Sequence, residues 1–143
     1  MRNTEDGTMK VFYKTRATAT GGRTGHTALD DGGLALDLAR PGSTHVGANP
    51  EQLFALGYAA CFDSALSMVA GQMKLVATSK TSVEVGIGQR PDGGYTLDID
   101  IYVETTGIDA EQAQQLVEAA HKVCPYSNAT RNNVDVRLHA TAL

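Results

Sequence analysis

The sequence predicts a single α+β domain, because strand-like segments are interrupted twice by segments of helical character. The chain has 143 residues, of which 42% are hydrophobic and 20% charged, as in one globular domain with a substantial core. Residues 1–8 are polar and are expected to form a flexible tail, so the domain is predicted to span residues 9–143.

Alternation of apolar and polar residues along the sequence predicts the strands. Residues Met9 to Thr20 alternate and are expected to form one long strand with one face in water, ended by Gly21 and Gly22. The turn at residues 91–94 predicts a hairpin, since an alternating segment lies on each side of it. The further strands expected, including the two of that hairpin, are Thr24–Leu29, Leu34–Leu38, Ser82–Gln89, Tyr95–Val103 and Asn133–Ala142.

The first helix is predicted by a start signal followed by an apolar run. Asn49 is suited to cap free backbone amides, Pro50 fits the first helical position, and Glu51 places negative charge at the positive end of the helix. In the run from Gln52 to Met73, Asp63 is the only charged residue. A helix that is apolar nearly all round is a buried helix, so we expect this one at the centre of the fold, between a sheet and a second subunit.

The second helix is predicted over Ala110–Val123. Asp109 and Gln112 have the spacing of a capping box at its start. Cys124 precedes Pro125, and the residue before a proline disfavours the helical conformation, so the helix is expected to end there.

Charge and hydropathy exclude several classes of partner. The formal net charge is −4 and basic residues do not cluster, which argues against nucleic-acid binding. The polar N-terminus does not resemble a signal peptide, and no apolar stretch is expected to approach the length of a membrane span. A cytoplasmic protein that binds neither membrane nor nucleic acid is therefore expected.

The two cysteines, Cys61 and Cys124, are the first candidates for chemistry, because disulfides in a reducing compartment are usually catalytic or redox-sensing. Cys61 lies inside the apolar helix, where a thiol has a raised pKa unless a cation is nearby. Two buried, inert thiols are the alternative. A zinc site of Cys61, His121 and Cys124 is a weaker one, because structural zinc normally needs four ligands in paired motifs.

Arg23 and Glu51 are the candidate charged residues. Arg23 follows two glycines that permit a close backbone turn, although an ordinary exposed arginine fits the same pattern. Glu51 is able to hold an arginine in a two-pronged ion pair, or simply to complement the helix dipole. Glu51 and Cys61 are ten residues apart, about 15 Å along a continuous helix. Either the helix bends, or Glu51 serves Cys61 of a two-fold-related subunit; we favour the second.

Four blocks of the sequence resemble one protein family, and they occur in its order: Ala17–Arg23 (ATATGGR), Asn49–Ala55 (NPEQLFA), Gly57–Phe62 (GYAACF) and Val123–Arg131 (VCPYSNATR). The chain resembles the organic hydroperoxide resistance proteins of the OsmC (osmotically inducible protein C) superfamily from about Val11 to the C-terminus. The resemblance implies antiparallel sheets wrapped around central helices in an intertwined homodimer.

The resemblance also implies a chemistry and its residues. Cys61 would be the peroxidatic cysteine and Cys124 the resolving one, with Arg23 holding the thiolate and Glu51 holding Arg23. Organic hydroperoxides would be reduced to alcohols through a sulfenic acid and a disulfide, without a cofactor. A dithiol reductant, a lipoylated protein, would restore the thiols. An OsmC-like peroxidase of broader substrate range, or a non-enzymatic binding module with structural thiols, are the alternatives.

Overall fold

A computed structural model of the protein describes residues 2–3 and 9–143. The chain divides into two units, Met1–Pro50 and Glu51–Leu143. Most of the predicted tail, residues 1 and 4–8, lies outside the described residues, while Arg2–Asn3 form a short strand, β1. The prediction of one domain over residues 9–143 stays a prediction.

The first unit is built from short antiparallel strands. β1 pairs with β2 (Lys10–Val11), and a separate three-stranded sheet has the order β3 (Ala17–Thr20), β4 (His26–Leu29) and β5 (Ala35–Asp37). Between β3 and β4 the chain makes a 3₁₀ turn at Gly22–Thr24, preceded by Gly21 with a φ of 78°. That left-handed conformation is one glycine adopts without a steric penalty, and it orients Arg23 in the turn.

The predicted long strand from Met9 to Thr20 was wrong, because the chain forms two separate strands, β2 and β3. A strand extends only as far as its partner, and β4 offers four residues before the chain turns. The pairing therefore stops near Arg16, whose carbonyl accepts the last bond from Asp30. All four residues of β3 are exposed, so the predicted buried face is not present either.

The second unit contains the long helices and the larger sheet. Its elements, in chain order, are α1 (Pro50–Gln72), β6 (Thr78–Gln89), β7 (Tyr95–Thr106), α2 (Ala110–Val123), α3 (Pro125–Thr130) and β8 (Val136–Ala142). The predicted hairpin is confirmed, with β6 and β7 paired along their whole lengths. The predicted capping box of α2 is also confirmed: Gln112 donates its backbone N–H to Asp109, and the Gln112 side chain accepts from the Asp109 backbone.

Two features of this unit differ from the predictions. The last strand begins at Val136, three residues later than expected, and it pairs parallel with β7. The predicted antiparallel pairing holds for the other strand pairs but not for β7 and β8. Helix α2 carries the chain back across the sheet before β8 begins, and such a crossover produces parallel neighbours. The short helix α3, directly after Cys124, was not predicted.

One apolar cluster joins the two long helices to β7. Its largest fully buried side chains include Tyr58, Phe62 and Leu66 of α1, Ile99 and Ile101 of β7, and Leu116 of α2. The single charge inside the apolar run is also accommodated, since Asp63 accepts hydrogen bonds from Ser79 (2.9 Å) and Thr81 (2.8 Å) of β6. A half-buried carboxylate with two donors does not oppose the packing of α1 on the sheet.

Helix α1 is buried on one face only in this chain, and the predicted packing of its other face against a second subunit stays a prediction. Leu56 is 68% exposed and Met68 is 50% exposed. The helix has 23 residues and includes an 18-residue window with a mean hydropathy of 1.5, so it is long and apolar enough to cross a membrane, contrary to our expectation for the sequence. Length and composition alone do not distinguish a span from the core helix of a soluble protein, because both share these properties.

Candidate functional site

The peroxidatic candidate, Cys61, lies in the middle of α1 beside its buried face. Its neighbours Tyr58 and Phe62 are fully buried, while Cys61 itself is half-buried. The helix forms here because the sequence from Pro50 to Gln72 contains no proline after its first position and only two charges. A rigid helix therefore carries the sulfur, with partial access for a small molecule.

Cys124 lies at the junction between α2 and α3, and it is fully buried. Its backbone is extended, with φ −65° and ψ 125°, as a residue before Pro125 requires. The junction directs its thiol towards α1, where Cys124 Sγ lies 3.7 Å from Cys61 Sγ. Both thiols are free. The structure thus brings together two sulfurs that the sequence separates widely.

The electrostatics of Cys61 are unfavourable for a thiolate within this unit. Burial raises the pKa of the Cys61 thiol above its usual value. The backbone N–H of Tyr126, which donates to the sulfur, lowers the pKa, whereas the Cys124 thiol raises it further. Because only the thiolate is a strong nucleophile, the site needs additional positive charge to react at neutral pH.

Aromatic rings pack beside Cys61. Tyr126 lies edge-on to Phe54, with ring centroids 5.6 Å apart, and 5.4 Å from the ring of Tyr58. Gly57 permits this contact, because a Cβ at that position would lie only 2.4 Å from Tyr126 Oη. The ring of Tyr126 therefore packs here, while its backbone N–H donates to the Cys61 sulfur. The surroundings of the sulfurs are thus largely apolar.

A buried polar cluster, which the sequence did not predict, lies next to the two sulfurs. Tyr58 Oη is hydrogen-bonded to Ser127 Oγ at 2.7 Å and to Thr130 Oγ1 at 3.3 Å. His121 Nδ1 is hydrogen-bonded to the same Ser127 Oγ at 2.8 Å. No spacing in the sequence identifies these partners, because they come from three different helices.

Arg23 and Glu51 lie in different units of the chain. Arg23 occupies the 3₁₀ turn of the first unit, and Glu51 lies in the first turn of α1. Helix α1 is continuous between Glu51 and Cys61, which keeps them about 15 Å apart along its axis. The predicted roles of both residues beside the thiolate stay predictions.

The potential metal ligands are dispersed. Across residues 2–3 and 9–143, His, Cys, Asp and Glu side chains form no group of three or more that could hold a metal ion. His26 instead pairs with Asp37 (3.0 Å) and His139 with Asp100 (2.8 Å), each on a partly exposed strand.

Comparison with known sequences identifies the family. Residues 41–139 match the family of OsmC-like proteins. The chain is 48% identical over 135 residues to the organic hydroperoxide resistance protein of Xanthomonas axonopodis pv. citri, covering 90% of this chain and 94% of that one. It is 45% identical over 132 residues to the organic hydroperoxide resistance protein OhrB of Bacillus subtilis, covering 90% and 97%.

Solved structures agree with the sequence comparison. An organic hydroperoxide resistance protein from Elizabethkingia anophelis superposes with a TM-score of 0.89 at 45% identity, covering 94% of this chain and all of that one. The Bacillus subtilis OhrB structure gives a TM-score of 0.85 at 44% identity, covering 90% and 98%. The α+β fold predicted from the sequence is therefore confirmed as OsmC-like. The chain belongs to the OsmC-like family and, within it, to the organic hydroperoxide resistance proteins.

Proposed function

We propose that this protein is a thiol peroxidase that reduces organic hydroperoxides, with Cys61 as the attacking sulfur and Cys124 as its disulfide partner. The observation that supports it is the 3.7 Å separation of the two free sulfurs, each held on a helix or at a helix junction. A disulfide needs the sulfurs at about 2.05 Å, so only a small local movement joins them. The names of the relatives point to the same class of substrate.

The proposed cycle has three steps. The Cys61 thiolate attacks the terminal peroxide oxygen; an S–O bond forms, the O–O bond breaks, and the departing alkoxide takes a proton to become the alcohol. Cys124 then attacks the oxidised Cys61 sulfur; the S–S bond forms and the S–O bond breaks, releasing water. An external dithiol finally reduces the disulfide, becoming a disulfide itself and restoring both thiols.

The raised pKa of Cys61 is the reason to assign a role to Arg23. A guanidinium beside the sulfur would favour the thiolate and stabilise charge on the departing oxygen. Glu51 would fix that guanidinium through a two-pronged ion pair. Because α1 is continuous, a Glu51 that serves Cys61 in this way would come from a second subunit.

The exposed face of α1 supports a homodimer. Leu56 and Met68 lie there, with Ala60 and Ser64 exposed between them. An apolar face with small residues allows two helices to approach closely across a two-fold axis. Pairing α1 with its copy would also cover the apolar surface that the single chain leaves in water.

The aromatic and apolar surroundings of Cys61 favour alkyl and lipid hydroperoxides over hydrogen peroxide, because desolvation of an apolar group is favourable. We propose a lipoyl-type dithiol carried on a protein as the reductant, and the cytoplasm as the compartment in which such a dithiol stays reduced.

The proposed function predicts a mass change in the reduced protein. One equivalent of tert-butyl hydroperoxide should remove about 2 Da and leave a Cys61–Cys124 disulfide, as found by peptide mapping. Unchanged free thiols would favour the non-enzymatic binding module instead. Equal turnover of tert-butyl hydroperoxide and hydrogen peroxide would favour the OsmC-like peroxidase of broader range.

Arg23→Ala is expected to raise the pKa of Cys61, since an opposite charge nearby lowers a thiol pKa by about 1–3 units. The pH midpoint for alkylation of Cys61 should therefore move upward, and the peroxidase rate at neutral pH should fall about tenfold to a hundredfold. Arg16→Ala is the matched control, because Arg16 is a mostly exposed arginine paired with Asp30. An alkylation profile identical to that of the control would remove Arg23 from the mechanism.

A further inference from the structure

Three polar side chains are each three residues from a sulfur-bearing residue. Tyr58 precedes Cys61 on α1, His121 precedes Cys124 on α2, and Ser127 follows Cys124 on α3. Ser127 Oγ lies at the centre, 2.7 Å from Tyr58 Oη and 2.8 Å from His121 Nδ1. These two hydrogen bonds connect the helix that carries Cys61 to both helices that meet at Cys124.

The backbone hydrogen-bond pattern changes from one helix to the next at Cys124. The Cys124 N–H closes α2 by donating to Ala120, and the Cys124 carbonyl begins α3 by accepting from Asn128. Pro125 has no N–H, so it donates no backbone hydrogen bond across the junction. The side-chain bond between His121 and Ser127 spans that interruption, as does the bond that Arg131 donates to the His121 carbonyl.

We propose that Tyr58, Ser127 and His121 form a polar clamp that positions Cys124 against Cys61 for disulfide formation. They are positioning residues, not catalytic ones. The inference rests on the proposed peroxidase cycle and concerns its second step. Thr130 Oγ1 adds a bond to Tyr58 (3.3 Å) and donates to the Ser127 carbonyl (3.2 Å), so the clamp is anchored within α3 as well.

Burial makes these bonds persistent. Tyr58 and Ser127 are fully buried and Thr130 is nearly so, which means that a broken bond would leave a polar group without water. Burial raises the pKa of the Tyr58 phenol and lowers that of the His121 imidazole, with Arg131 lowering the latter further. At neutral pH both groups are therefore uncharged and suited to neutral hydrogen bonds with a hydroxyl.

Positioning matters because the sulfenic acid on Cys61 has two fates. Cys124 condenses with it to give the disulfide, or a second hydroperoxide oxidises it to sulfinic acid. The first reaction is within the molecule and depends on keeping the sulfurs close, whereas the second depends only on peroxide concentration. Loosening the clamp should therefore change the ratio of the two products without slowing the first oxidation of Cys61.

Tyr58→Phe tests the clamp, because it removes only the hydroxyl and keeps the ring. With excess tert-butyl hydroperoxide and no reductant, the fraction with sulfinic acid on Cys61, about 32 Da heavier than the reduced protein, should rise severalfold to about a hundredfold over wild type. The rate at which reduced Cys61 disappears under limiting peroxide should stay within about twofold of wild type. Thr105→Val is the matched control, since it removes a fully buried hydroxyl that bonds to Thr141 on β8.

Ser127→Ala is the second variant and should shift the ratio at least as far, because it breaks both central bonds. Product ratios in both variants equal to that of Thr105→Val would overturn the clamp. An equal loss of rate in the first oxidation of Cys61 and in disulfide formation would also overturn the clamp, because a general loss of structure would slow both steps. A wild-type protein that forms no disulfide would refute the proposed function itself, which is a separate result.

Discussion

Cys61→Ser is expected to lose turnover of organic hydroperoxides by about ten-thousandfold or more, since it removes the nucleophile that the proposed cycle requires. Serine is nearly the same size as cysteine, and Cys61 is only half-buried, so packing on Phe62 and Tyr58 should be little changed. A coupled assay with tert-butyl hydroperoxide and a lipoyl dithiol measures the loss.

The same variant needs a test of folding. The unfolding midpoint of Cys61→Ser should stay near that of wild type, because a hydroxyl at a partly exposed position is still hydrated. Retention of more than about a tenth of the activity in a folded variant would mean that another group attacks the peroxide. Cys124 would then be the next candidate, since its sulfur lies 3.7 Å away.

The sequence predicted those parts of the fold that local chemistry determines. The capping box at Asp109 and Gln112 involves residues three apart, and the hairpin turn at residues 91–94 joins neighbouring strands. Both are specified by short-range interactions, so a local pattern is sufficient to identify them. The start and end of α2 follow for the same reason.

Features that depend on distant partners were predicted less well. The residues between β2 and β3 were predicted to continue a single strand, yet they form none because β4 is too short to pair with them. The direction of β8 depends on the crossover through α2, and alternation within β8 contains no information about direction. A helix face turned towards a second subunit was expected, but not that Leu56 and Met68 would lie on it, because an apolar helix does not reveal which of its faces one chain buries.

The same distinction between local patterns and distant contacts applies to the candidate site. Cys61 and Cys124 were identified from residue type and from the family resemblance, but only the fold establishes that their sulfurs are 3.7 Å apart. His121 was considered as a zinc ligand, whereas its ring is bonded to Ser127. Such a contact joins side chains of α2 and α3 around an unpredicted junction, so no spacing rule would have found it.

Cys124→Ser is expected to separate the first oxidation from the rest of the cycle. The variant should consume about one equivalent of hydroperoxide as fast as wild type, because the Cys61 thiolate is still present. Multiple turnover should then stop, since the sulfenic acid has no thiol beside it and a further hydroperoxide converts it to sulfinic acid. Stopped-flow measurement of peroxide loss, followed by mass spectrometry of the Cys61 peptide, records both events.

Cys61→Ser provides the control for this burst, because it should show none. Loss of multiple turnover in Cys124→Ser would point to the disulfide step, because Cys124 is fully buried with its thiol next to that of Cys61. Sustained turnover by Cys124→Ser with a lipoyl dithiol would mean that the reductant attacks the sulfenic acid directly. The 3.7 Å separation would then reflect packing at the α2–α3 junction, and Cys61 alone would carry the redox chemistry.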